Sequence, residues 1–132
     1  MNKTFVDTSA ILALLVASDR AHGKAKAAFE RLRARNAALM TTSYVLVELY
    51  ALAARRLGLT AVAEIRARIA PLFEVLWVDR ELHEKGLDLL IERGDSRLSI
   101  VDAVSLVSIR ANRVEDVFAY DRHFEAEGFS MV

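Results

Sequence analysis

The chain has 132 residues, 18 basic against 18 acidic side chains, and no cysteine. That length fits one domain of roughly 100–200 residues, and an apolar fraction of 54% excludes a disordered chain. The lack of cysteine excludes a disulfide scaffold, a thiolate zinc site and a cysteine nucleophile.

Thr4-Phe5-Val6 is short and β-prone, and predicts a buried first strand ending at Asp7. The pattern turns helical from Ser9 to Ala17, and residues 21–35 form an Ala/Lys/Arg/Glu stretch of high helix propensity. Ala38 to Thr41 predicts a second strand. Ser43 is the expected cap of a helix running to about Leu57 and stopped by Gly58. Thr60 starts a further helix that should end before Pro71. Phe73 to Val78 predicts a third strand, and Asp79 caps a helix from Arg80 to about Arg93. Ser99 opens a helix to about Asn112, and Val117 to Tyr120 predicts a fourth strand. Asp121, a short helical turn and a last strand at Phe129–Val132 close the chain. Strands alternating with helices predict an α/β domain over residues 1–132, with a short parallel sheet of four to five strands and helices on both faces. In such a sheet the functional crevice lies beyond the carboxyl ends of the strands.

Four acids stand out on that frame. Asp7 and Asp121 directly follow strands, whereas Asp79, also at a strand end, reads as a simple helix cap. Glu48 has only apolar or aromatic helical neighbours at three and four positions: Tyr44, Val45, Ala51 and Leu52. A lone buried carboxylate needs a partner, either a salt bridge to Arg55 or Arg56 or a metal ion. Asp102 lies in a nearly all-apolar helix, and Ser99 with Asp102 has the spacing of a capping box. Four carboxylates in one crevice repel unless a divalent cation joins them, and an all-oxygen set suits Mg²⁺ or Mn²⁺.

Phe5-Val6-Asp7-Thr8-Ser9-Ala10 resembles the opening of PIN-domain ribonucleases. Glu48 within Thr42 to Glu48, Asp102 within Leu98 to Ser105, and Asp121 within Ala119 to Phe124 resemble the later acidic motifs of that family. The order covers essentially the whole chain, and the nearest branch looks like the VapC-type toxins of toxin–antitoxin pairs. The resemblance implies a Mg²⁺- or Mn²⁺-dependent endoribonuclease whose catalytic acids are Asp7, Glu48, Asp102 and Asp121. Asp7 and Asp102 would ligate metal directly, and Glu48 and Asp121 directly or through water. Thr8 or Ser9 would supply a small hydroxyl beside the ion, and Ser99 would support Asp102. Ala119 departs from the Thr or Ser that many members carry there. Water would be the nucleophile, so products would carry 5′-phosphates. An antitoxin protein and a homodimer are further implications. The alternatives are a housekeeping PIN nuclease for RNA processing and a non-catalytic α/β binding module. A receiver-like module fits poorly, because Asp7 has no acidic neighbour and no lysine follows Lys85.

The zero net charge is a cancellation. Residues 20–70 carry ten Lys/Arg against three Asp/Glu, and residues 71–132 carry seven against thirteen. Arg20, Lys24, Lys26, Arg55 and Arg56 are the candidate RNA-binding residues. Few exposed aromatics are expected, which argues against base stacking. His22, His83 and His123 are expected to be structural, with His123 the nearest to a candidate acid. Leu12, Leu15, Val16, Leu46, Tyr50 and Leu57 are expected mostly in the core, with a partner groove as the alternative. Without an apolar run long enough to span a bilayer or a cleavable leader pattern, a cytoplasmic location is expected.

Overall fold

The computed structural model describes residues 3–132. Five strands among these residues form one sheet: β1 (Lys3–Val6), β2 (Ala38–Thr42), β3 (Glu74–Leu76), β4 (Asp116–Phe118) and β5 (Ser130–Met131). The spatial order is β3-β2-β1-β4-β5, and every pairing is parallel. The chain winds outward from β1 in one direction and then in the other, so the topological switch lies at β1 and β4. Thr4, Phe5 and Val6 are all buried, as a central strand covered on both faces requires. Phe5 pairs with Met40 on one side and Val117 on the other. Asp7 is therefore level with Thr42 and Ala119 at the carboxyl edge.

Among the described residues, seven α-helices accompany the sheet: α1 (Thr8–Leu15), α2 (His22–Ala34), α3 (Ser43–Arg56), α4 (Leu59–Glu64), α5 (Arg80–Arg93), α6 (Ile100–Ala111) and α7 (Arg122–Ala126). The core joins Phe5 and Phe118 of the strands to Ile11, Leu49, Leu106 and Ile109 of the helices, all fully buried. The nearly all-apolar α6 buries two hydroxyls by back-bonding them within the helix, Ser105 to the Val101 carbonyl and Ser108 to the Val104 carbonyl. The long helix α5 ends at Gly94, which takes the left-handed conformation (φ 60°) that other residues adopt at a cost.

Several expected boundaries shift. Helix α3 is capped by Thr42, whose hydroxyl accepts the Val45 N–H, and not by Ser43. Ser43 Oγ instead accepts the Val78 N–H at 2.9 Å and ties the segment after β3 to the start of α3. The expected helix ending before Pro71 is three pieces: α4, a π-helical turn (Ile65–Ile69) and a 3₁₀ turn (Ala70–Leu72) that contains Pro71. Proline lacks the N–H a continuing α-helix needs, but it fits the first positions of a new turn. Strands β3 and β4 are shorter than expected, and Ala119 and Tyr120 lie beyond β4. Trp77, expected inside the third strand, lies past the end of the edge strand β3 and is 73% exposed.

Candidate active site

The carboxyl edge of the sheet is held together by side chains that share backbone groups. The Asp7 N–H donates to the Phe118 carbonyl at 3.0 Å, and Thr41 Oγ1 donates to the Val6 carbonyl at 2.7 Å. These bonds fix the end of β1 to both neighbours. Asp7 then caps α1 by accepting the Ser9 N–H. Ser9 Oγ donates to Asp7 Oδ2 at 2.7 Å and accepts the Tyr120 N–H at 2.9 Å. One hydroxyl thus binds the first acid to the segment carrying the fourth.

Asp7 is 3% exposed, and its Oδ1 is buried with no partner among the described residues. Burial pushes its pKa up to about 6; the two Ser9 hydrogen bonds oppose that rise, and the charges of Asp102 and Glu48 add to it. Asp102 sits at the third residue of α6 in a reciprocal capping box. Its N–H donates to Ser99 Oγ, and its Oδ2 accepts the Ser99 N–H. Burial also raises its pKa, opposed by the Ser99 bonds, while the Asp121 charge raises it further. Asp121 caps α7 and accepts the His123 N–H. One donor atom each from Asp102, Asp121 and His123 lies within 4.8 Å of the others. The His123 Nε2 is 3.1 Å from the Arg97 carbonyl and 3.6 Å from Asp121 Oδ1, so this histidine stands beside the acids.

Glu48 is half-buried on α3 and makes no salt bridge among the described residues, neither to Arg55 nor to Arg56. It opens onto a groove of about 360 Å³ lined by Tyr44, Val47, His83, Ile100 and Val101. The Tyr44 hydroxyl and His83 Nδ1 are 2.5 Å apart across that groove. The four acids therefore converge from the ends of β1 and β4, from α3 and from α6. An orphaned buried carboxylate oxygen on Asp7, whose pKa the neighbouring charges of Asp102 and Glu48 help to raise, fits a hard divalent cation, and the donor set offers it oxygens. Thr8 Oγ1 is likewise buried without a partner among the described residues, whereas Ser9 makes the bonds to Asp7.

The basic candidates fall in two places. Lys24 and Lys26 are exposed on α2, and Arg20 is exposed just before it. Arg31 of the same helix lies near enough to Tyr120 for its charge to act on that hydroxyl. Arg55 and Arg56 occupy the last turn of α3, about 10 Å along the helix axis from Glu48.

The PIN domain family profile matches residues 4–129. The chain belongs to the PIN domain family. It is 34% identical over 126 residues to the 23S rRNA-specific endonuclease VapC20 of Mycobacterium tuberculosis, covering 95% of this chain and 94% of that protein. The crystal structure of the same protein, described as a sarcin-ricin loop cleaving toxin, superposes with a TM-score of 0.83 at 35% identity, covering 98% of both chains. FitAcB from Neisseria gonorrhoeae shares the fold at a TM-score of 0.72 and 16% identity, covering 97% of this chain and 95% of that one. This PIN domain thus has the α/β architecture of its relatives, with a five-stranded parallel sheet.

Ser9→Ala tests the hydroxyl that joins Asp7 to Tyr120. Removing a group that orients a metal-holding carboxylate typically costs about 10–100-fold in metal affinity or activity. The expected result is a loss of that size in apparent Mn²⁺ affinity, measured by calorimetric titration, with Ser9→Thr retaining more affinity than Ser9→Ala.

Proposed function

We propose that this PIN domain is a metal-dependent endoribonuclease and the toxin of a toxin–antitoxin pair. The observation that carries the reading is the convergence of Asp7, Glu48, Asp102 and Asp121 at the switch point, with Asp7 Oδ1 buried and without a partner among the described residues. Its similarity to VapC20, a protein named as an rRNA endonuclease and toxin, supports RNA as substrate. Asp7 and Asp102 would hold Mg²⁺ or Mn²⁺, with Glu48 and Asp121 completing the set. The cation supplies a Lewis acid for the phosphodiester and lowers the pKa of water. The Ser9 bond holds Asp7 in one rotamer, and the Ser99 capping box does the same for Asp102. A carboxylate oxygen of Glu48 or Asp121, both more accessible than Asp7, would take the proton as water attacks the phosphorus in line; the P–O3′ bond breaks, and the leaving 3′-oxygen takes up a proton from solvent to end as a 3′-hydroxyl beside the 5′-phosphate. The toxin reading carries an antitoxin protein as partner, a cytoplasmic location and a dimer of two copies.

The test is cleavage of RNA by the purified chain with Mg²⁺, with Mn²⁺ and with excess chelator. Cleavage with either metal, ended by chelator and leaving 5′-phosphates, is the expected outcome. Cleavage that persists in chelator, or that leaves 2′,3′-cyclic phosphates, rejects the metal site. Metal should also raise the melting temperature of the wild-type chain, by about 3 kcal/mol of stabilisation at a hundred times its Kd.

A further inference from the structure

Beside Asp121, on the flank away from Glu48, a cleft of about 310 Å³ is lined by Tyr120, Asp121, Arg122, Glu125 and Met131. Its wall is an aromatic ring next in sequence to a proposed metal-holding acid. That ring is fixed from two sides. The Tyr120 N–H donates to Ser9 Oγ, the hydroxyl that holds Asp7, so the platform and the acid share one anchor. The ring meets the buried Phe118 ring at 76° with centroids 6.0 Å apart. Arg122 is exposed beside it and lines the cleft, while the opposite charges of Arg31 and Asp19 both reach the Tyr120 hydroxyl. A partly exposed ring with an exposed guanidinium beside it has the chemistry of an unpaired nucleotide site: the ring stacks a base, and arginine meets the phosphate. Glu125, an acceptor when ionised, repels phosphate and suits the exocyclic amino group of a base. The phosphate end of the cleft is therefore at Arg122.

Resting on the nuclease reading above, we infer that this cleft is a nucleotide subsite flanking the scissile phosphate, with Tyr120 stacking an unpaired base of the RNA and Arg122 contacting its backbone. The inference gives Tyr120 a part in choosing single-stranded or splayed substrate, a part that Asp121 itself cannot supply.

The test separates base from backbone. In an Asp7→Asn background, which prevents turnover, binding of an oligoadenylate 12-mer is compared with an abasic 12-mer of the same charge by fluorescence anisotropy. Stacking on an aromatic side chain is worth about 1–3 kcal/mol per base, or roughly 5- to 150-fold. The parent should prefer the base-bearing strand by a factor in that range. Tyr120→Ala should bring the ratio close to one, and Tyr120→Phe should keep it. Arg122→Ala, an exposed site that leaves folding intact, should weaken both strands equally and reduce the salt slope by about one. A base preference that survives Tyr120→Ala overturns the subsite. So does a Tyr120→Ala variant that loses an inhibitory protein partner while the RNA ratio stands, since the cleft is then a protein contact. Failure of the wild-type chain to cleave any RNA with Mg²⁺ or Mn²⁺ overturns the nuclease reading and the subsite with it. Cleavage with an unchanged base preference overturns the subsite alone.

Discussion

Asp7→Asn is expected to abolish cleavage and at the same time stabilise the metal-free protein. The two effects have one cause. Asp7 is almost fully buried, and its pKa of about 6 means that the folded, metal-free chain resists the charged form. A shift of about two pKa units corresponds to up to roughly 3 kcal/mol. Asparagine is near in shape, still accepts from Ser9, and removes the charge. Its gain should therefore grow as pH rises from about 3.8, be complete above the folded pKa of about 6, and vanish below 3.8, where Asp7 is neutral in both states. Between the ordinary carboxyl pKa of 3.8 and about 6, the folded state binds the proton more tightly than the unfolded state. Wild-type stability without metal should fall as pH rises through that window, then level off. Urea unfolding of both chains in chelator, at about pH 4, 5, 6 and 8, reads this directly. If the two curves run parallel across the window, the buried charge is not the cause. Activity moves the other way. In the proposed nuclease, loss of the Asp7 charge from the metal site removes several kcal/mol of transition-state stabilisation, which is at least about a thousandfold in rate. Metal should raise the melting temperature of the wild-type chain far more than that of Asp7→Asn.

That trade explains which parts of the site are legible in a sequence. Asp7 and Asp121 can be found because a parallel sheet puts its strand ends on one edge, and a local pattern locates the strand ends. Asp102 can be found because a capping box is written in four consecutive residues, Ser99 to Asp102, and the structure forms both of its bonds. Glu48 is half legible. Its apolar helical neighbours mark it as unusual, but its placement on a groove wall depends on α5 and α6, which supply His83, Ile100 and Val101 from far along the chain. Ser9 joins Asp7 to Tyr120 across 111 positions of sequence, a bond that no local pattern announces. The cap of α3 shows the same limit at short range. Thr42 and Ser43 are both good caps, and only the demand of Val78 for a partner assigns Ser43 elsewhere. Trp77 follows a stretch that reads as a buried strand. It is exposed because that strand lies at the edge of the sheet and ends early, which is a fact of strand order. His123, a structural histidine on helix pattern alone, lies within reach of two acids because it sits two residues after the α7 cap Asp121 and the fold brings Asp102 of α6 beside them.

Gly86 carries the second large effect, and no acid-centred reading of the sequence points to it. It lies inside α5, where glycine is a poor helix former by about 1 kcal/mol relative to alanine. Alanine would be expected to stabilise an exposed position of that kind. Gly86 is instead buried against α6, and a Cβ there would come within 2.5 Å of Val104 Cγ2 and 3.4 Å of the Val104 Cα. Val104 is fully buried, and a valine in a helix has one strongly preferred rotamer, so the methyl cannot swing clear without cost. Overpacking a core costs about 1–3 kcal/mol, which exceeds the propensity gain. Gly86→Ala should therefore destabilise the chain by about 1 kcal/mol, and Gly86→Leu should cost several times more. The strain also bears on the site, because the same helix begins with the Ser99–Asp102 capping box. Gly86→Ala should weaken metal binding as well as lower the urea midpoint. Val104→Ala removes the methyl that the new Cβ meets. The double variant Gly86→Ala/Val104→Ala should then be more stable than the sum of the two single changes allows, by about 1 kcal/mol. Strict additivity would place the cost of Gly86→Ala somewhere other than the contact between α5 and α6.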